Sequence, residues 1–197
     1  MTEADLRVVK GLNAVVRCHA GKKISDKIME GSEQLSPSSQ CREFSEWVKG
    51  AMIRMDELVD ENTRDHIMRD CGRLCSLEYK EIIQSAKERY RRSASLDEFL
   101  AHEVESRFPG LSLKRDGNVL YQVYAPASFE NPQRCYCTIL KGLPPDETIS
   151  LTYCHCSSGF IKSYWEQVLG MEVRVEIIES VISGGRECRF AIHLLGV

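Results

Sequence analysis

Apolar residues recur every three or four positions from Ala4 to about Val104, and after Gly110 the recurrence shifts to every second residue. The first spacing is that of amphipathic helices and the second that of half-buried strands. A chain that changes period once, without regular βαβ alternation, folds as an α+β protein. Its N-terminal helices pack on a C-terminal antiparallel sheet with one inserted helix. Residues 1–110 form the helical half and residues 111–197 the β-rich half, and the two are read as one domain with one core. Leu6, Val9, Leu12, Val16, Ala20, Ile24 and Ile28 mark the first helix. Ser38 or Ser39 is placed to cap a second, through Phe44, Val48, Ala51 and Met55, and Asn62 or Thr63 a third. Gly72 either lies inside that third helix or ends it. Ser76 is placed to cap the fourth, and Ser95-Leu96-Asp97-Glu98 reads as a capping box opening the fifth, which Pro109-Gly110 stops.

In the second half, Asp116-Gly117 supplies the tight turn of a hairpin between Leu111–Arg115 and Val119–Tyr124. Two short strands are expected at Cys135–Leu140 and Ile149–Cys154. A helix capped by Ser157 or Ser158 then carries Phe160, Ile161, Tyr164, Trp165 and Val168, and Gly170 ends it. The alternation Met171, Val173, Val175, Ile177 gives a further strand. After Ser183-Gly184-Gly185, Cys188, Phe190, Ile192 and Leu194 line one face of the last.

The 197 residues are 43% hydrophobic and 28% charged, an ordinary globular balance that excludes disorder. No stretch approaches the roughly 18 apolar residues of a membrane span, and Met1-Thr2-Glu3-Ala4-Asp5 lacks a signal peptide's basic and apolar regions. The chain therefore reads as soluble and cytoplasmic, with no membrane partner. With Lys+Arg 26 against Asp+Glu 29, interspersed along the chain, broad nucleic-acid binding is not expected either.

Cysteine is the unusual residue. There are nine, an odd number below the density of a disulfide scaffold, so free thiols are expected in a reducing compartment. Six fall in close pairs: Cys71 and Cys75, Cys135 and Cys137, Cys154 and Cys156. Cysteines four apart on a helix, or two apart on a strand, share a face. Any two pairs could complete a tetrahedral Cys₄ zinc site, and a helical pair joined to a strand pair would pin the halves together. The spacing thus predicts a zinc site, iron being the other metal considered, from Cys71, Cys75, Cys154 and Cys156. Cys135 and Cys137 are alternate ligands or a redox pair, and Arg69 and Arg73 stand near enough in sequence to balance thiolate charge.

Two other uses of the same residues are open. Cys156 just before a helix N-terminus is a candidate nucleophile, although His155, adjacent on a strand, would face away from it. Glu166 and Glu179 are better placed on exposed faces than as an acid/base pair. Phe160, Tyr164 and Trp165 at helical spacing are core residues first, and would wall any pocket for a small hydrophobic ligand between sheet and helices.

The stretch Tyr153-Cys154-His155-Cys156-Ser157-Ser158-Gly159-Phe160 through Leu169-Gly170, with Glu176, Glu179, Gly184-Gly185, Cys188 and Phe190, resembles the C-terminal part of the 4-vinyl reductase domain family. About 45 residues carry the likeness. It implies an α+β domain similar to subunits of vesicle-tethering TRAPP complexes, a small-molecule-binding module with cysteine-based metal or redox sensing. A homodimer through the N-terminal helices goes with that fold. The neighbouring aminothiazoline-carboxylate hydrolases have a similar ending, which implies instead a hydrolase with Cys156 as nucleophile. The favoured reading is a small-molecule-binding or sensor domain with a thiolate metal site.

Overall fold

The computed structural model describes residues 3–105, 111–124, 135, 137–144 and 146–195. Five helices come first: α1 (Glu3–Ile28), α2 (Cys41–Leu58), α3 (Glu61–Ser76), α4 (Lys80–Arg92) and α5 (Leu96–Glu105). The hairpin β1 (Leu111–Asp116) and β2 (Val119–Tyr124) follows, then α6 (His155–Leu169), β3 (Val173–Glu179) and β4 (Cys188–Leu194). The α+β expectation holds, with α6 as the inserted helix.

Local chemistry explains the boundaries and shifts several of those expected. Gly21 adopts φ 78 and kinks α1, so that Ile28 turns inward and is fully buried. The second helix starts at Cys41, because Ser36, Ser38 and Ser39 hydrogen-bond among themselves, while Glu43 accepts the backbone N–H of Gln40 at 2.9 Å. Asp60, not Asn62 or Thr63, caps α3 by accepting the Thr63 N–H. Ser76 caps nothing; its hydroxyl donates to the Arg73 carbonyl oxygen and meets the Ser163 hydroxyl of α6 at 2.8 Å. Ser95 does cap α5, and the Glu98 carboxylate reaches back to the Ala94 N–H. Pro109 and Gly110 lie outside the described residues.

The sheet is antiparallel in the order β1-β2-β4-β3. Leu120 pairs with Ile192, which pairs with Val175, so one apolar row crosses three strands. A bulge between Ile177 and Glu179 leaves Ile178 outside the sheet's inner row, and it is exposed. Trp165, fully buried, packs edge-on to Phe99 and Tyr164, and its indole N–H donates to Gln122 Oε1 at 3.0 Å. Tyr164 and Trp165 of α6 are therefore core, as their spacing suggested, whereas Phe160 is half-buried against Tyr79. Trp165→Phe keeps most of that packing but leaves a buried amide oxygen without its donor. It is expected to cost about 1–2 kcal/mol, read from the urea midpoint.

The segments expected as strands at Cys135–Leu140 and Ile149–Cys154 are instead 3-10 turns, Thr138–Leu140 and Leu151–Cys154. Short apolar runs carry no period, and here tertiary contacts decide. Ser45 of α2 donates to the Ile139 carbonyl oxygen at 2.9 Å, and a Cβ on Gly142 would stand 2.3 Å from the Cys41 carbonyl carbon. The Ser150 side chain accepts the Thr152 N–H and starts a turn that runs directly into α6. Two clusters of buried side chains result. One joins α1, α2, α3 and the two 3-10 turns, the other α4, α5, α6 and the sheet.

Candidate functional site

Helices α3 and α6 cross at two glycines. A Cβ on Gly72 would lie 1.9 Å from the Cys156 carbonyl oxygen, and one on Gly159 would lie 2.0 Å from the Arg69 carbonyl oxygen. Only residues without a side chain allow backbones so close. Gly72 is thus inside α3, as one of its two readings had it, and it brings Cys71 and Cys75 beside the first turn of α6.

Thiols meet there. Ionisation of Cys71, Cys75, Cys135 or Cys137 would each be felt at Cys156, and Cys137 acts on Cys75, Cys135 and Cys156. Cys137 is the hub: its sulfur is 3.0 Å from the Tyr153 hydroxyl. Burial pushes the thiols of all five up, Cys71 to about 12 and Cys156 far above the ordinary thiol range. Asp70 adds to the rise at Cys71, Glu78 at Cys75 and Asp5 at Cys137. These charges are all negative, so the five thiols are held protonated at neutral pH.

Cys154 stands to one side of Cys156, its charge acting on Cys135. It is buried beside Ser180, whose hydroxyl lies 2.8 Å from its sulfur, and Ser183 and Cys188 are its other neighbours. The pairing of Cys154 with Cys156 as strand residues fails because a 3-10 turn followed by a helix rotates successive side chains by about 100–120°, not 180°. Cys188, which the motif reading used only as a family mark, is the thiol that sequence spacing left out. Cys18 and Cys41 are exposed.

The zinc expectation is overturned. Among the described residues no group of three or more His, Cys, Asp or Glu side chains is placed to hold a metal ion. Arg69 and Arg73 serve elsewhere, Arg69 donating to the Val175 carbonyl oxygen at 3.4 Å and Arg73 pairing with Asp70. Nor does α6 offer Cys156 a free N-terminus, since the 3-10 turn precedes it, and His155 turns to Asp65 at 3.0 Å. Glu166 accepts the Val173 N–H and Glu179 the Arg186 N–H, both local structural roles.

A family model described as "Family of unknown function (DUF6144)" matches residues 4–196. No curated protein matches the chain significantly. Solved structures of H-NOX proteins resemble its fold. One from a study of heme distortion in the H-NOX family has a TM-score of 0.50 at 15% identity, covering 96% of this chain and 94% of that one. An H-NOX protein from S. oneidensis in an Fe(II)NO state gives 0.46 at 11%, covering 96% and 98%. The H-NOX from Shewanella woodyi gives 0.47 at 14%, covering 95% and 93%. At these identities the likeness is one of fold, carried by the first of the three. The resemblance to 4-vinyl reductase domains and aminothiazoline-carboxylate hydrolases is accordingly withdrawn. Its motif, a glutamate-bearing strand, a glycine turn and Cys-x-Phe, is what the β3–β4 connection needs on structural grounds: Gly184 at φ 98 and Phe190 in the core. Among the described residues no helix is long and apolar enough to cross a membrane.

Proposed function

The chain belongs to DUF6144, a family of unknown function, so its chemistry has to be read from its own side chains, and we propose that it is a thiol-based sensor domain in which Cys75 and Cys137 form a reversible disulfide. The fold likeness to H-NOX proteins supports a sensor role, while heme, the group named for one of them, does not fit the described residues here. Heme needs a wide enclosure and an axial donor such as His, Cys, Met or Tyr. The space between helices and sheet is filled by Phe99, Trp165 and Phe190, each at most 1% exposed. One surface hollow, of about 220 Å³, is lined by Asp97, Leu100 and Arg115 among others, and another by polar residues of α4 alone. Neither contains an axial donor. His19 is paired with Asp70, His155 with Asp65 and His193 with Glu176, His66 bonds its own helix, and His102 is exposed.

The observation that carries the proposal is that Cys137, 62 positions away in sequence, is the charged group that acts most on Cys75 of α3, the helix that Gly72 seats against α6. Cys75 is the least enclosed thiol of the five and takes the first step. The small fraction of Cys75 that ionises attacks one oxygen of a hydroperoxide; the O–O bond breaks, an alcohol or water leaves with the proton that Cys75 gave up, and Cys75 becomes a sulfenic acid. Cys137 then attacks that sulfur, the S–S bond forms, and the departing hydroxide takes up the Cys137 proton as water. Two thiols are oxidised by two electrons and one peroxide is reduced. Tyr153, 3.0 Å from the Cys137 sulfur, donates a hydrogen bond to the thiolate as it forms.

Peptide mapping under non-reducing conditions, after treating reduced protein with hydrogen peroxide, tests this. The expected product is a Cys75–Cys137 link reversed by dithiothreitol and absent in Cys75→Ser. Oxidation confined to Cys18 and Cys41, or ending in irreversible sulfinic acid at Cys75, would overturn it.

A further inference from the structure

Helix α4 has one side in the core, through Ile83 and Ala86, and the other in solvent. On the solvent side Glu81, Ser85, Glu88 and Arg92, spaced by four, three and four, form a single exposed stripe. Hydrogen bonds within the fold prepare it. Arg89 donates to the fully buried Glu103 carboxylate at 2.7 Å and to the Ser85 hydroxyl oxygen at 2.9 Å, so the Ser85 proton is left to be donated outward. Gln84 Nε2 donates to Oε1 of Glu88 at 3.1 Å and leaves its other oxygen open. Glu81 and Arg92 have no ion-pair partner among the described residues. Ile82, 45% exposed, borders the stripe, and a shallow hollow lined by Lys80, Glu81, Gln84, Ser85 and Glu88 runs along it.

Reversed, the stripe is its own complement. Laid antiparallel on a second copy about a point between Ala86 and Lys87, Glu81 comes opposite the partner's Arg92 and Ser85 opposite the partner's Glu88. Each contact occurs twice, as two-fold symmetry requires. We propose that α4 is the contact helix of a weak two-fold homodimer, closed by Glu81–Arg92 ion pairs and Ser85–Glu88 hydrogen bonds. A uniformly acidic or basic partner would meet a like charge somewhere in this stripe, whereas a second copy places opposite signs at both ends. The small Ser85 lets the helix axes approach, which takes Ile82 out of water. The two Glu88 carboxylates come nearest each other at the axis, and each has Arg92 of its own helix four positions on to balance it. Lys80, Lys87 and Arg91 fall on the flanks of α4, at about 100° per residue, clear of the paired charges. One 13-residue helix, about 20 Å long, makes a contact at the low end of protein interfaces, under roughly 1,200 Å². Its ion pairs are exposed as well, so the dimer is reversible and sensitive to salt. Thiol oxidation plays no part in this contact.

Sedimentation velocity of the reduced full chain tests this, at about 10–500 µM protein in low salt and in roughly 0.5 M NaCl. The natural sequence is expected to pass from monomer toward dimer with concentration in low salt, and to associate at least about tenfold more weakly in high salt. Arg92→Glu and Glu81→Arg, each checked for native circular dichroism, should each dimerise at least about tenfold more weakly, because both ion pairs become like-charge contacts. Both side chains are exposed, so neither reversal reaches the core. Mixed in equal amounts, the two variants should associate again, since every charge reversed in one then faces its opposite in the other. A natural chain that stays monomeric across this range overturns the proposal. So does a dimer indifferent to salt, a dimer that either folded variant leaves unchanged, or a mixture that fails to associate.

Discussion

Gly72→Ala is expected to lower stability by about 3 kcal/mol, although alanine is the better helix former by roughly 1 kcal/mol. The added carbon would stand 1.9 Å from the Cys156 carbonyl oxygen, 2.6 Å from the Phe160 nitrogen and 2.9 Å from the Cys156 carbonyl carbon. All three are backbone atoms in the first two turns of α6, where no rotamer change can make room. The helices must separate, and both buried clusters reach this crossing, through Ile67, Met68 and Cys156 on one side and Ile161 and Trp165 on the other. Gly159→Ala meets the Arg69 carbonyl oxygen at 2.0 Å and is expected to behave alike. Because the two strain one contact, the double variant should cost less than the sum. Gly11, in α1 with nothing within 4 Å of its added carbon, is the control, and Gly11→Ala should gain about 0.5–1 kcal/mol. Urea midpoints decide the matter. A Gly72→Ala protein as stable as the natural one would mean that α3 and α6 can part without cost.

That crossing also shows where sequence reading reaches its limit. Long periodic helices, the Asp116-Gly117 hairpin and the β3–β4 alternation could be read directly, because each signal lies within one element and repeats. The convergence of thiols was partly legible. Cys71 and Cys75 sit four apart on a helix as their spacing requires, and a charge on either would act on Cys156 of the β-rich half. What could not be read was which thiols take part. Cys154 and Cys156 exchange partners once Ile149–Cys154 becomes a turn rather than a strand, and that turn is set by distant contacts: Thr152 donating to Asp56 at 2.6 Å and the Ile149 N–H to Ile182 at 2.8 Å. Gly72 itself carried the signal that was available, a glycine inside an otherwise good helix and flanked by cysteines. A glycine kept in a helix interior at a cost marks a close approach, and here that approach assembles the site.

Raising the pH from 7.5 to 10 under reducing conditions is expected to remove about 3 kcal/mol or more of stability. The cause is burial of the thiols. In the unfolded chain each cysteine titrates near its ordinary 9.0, whereas folding holds Cys71 at about 12 and Cys154 at about 11, with burial the largest cause for both. Between those values the unfolded state has given up protons that the folded state keeps, so the unfolded state is favoured as pH rises. Stability is complete below about pH 8 and falls from there upward, the reverse of a paired carboxylate. At pH 10 each of these two thiols contributes roughly 1.4 kcal/mol, one pH unit above 9.0. Cys137 and Cys156, also shifted up by burial, act in the same direction. Replacing both Cys71 and Cys154 by alanine should flatten the pH dependence by about their joint share, even though each substitution lowers stability at pH 7.5. Urea titrations of the two proteins at both pH values separate the terms. Equal stability of the natural chain at pH 7.5 and 10 would mean that these sulfurs are not held from water.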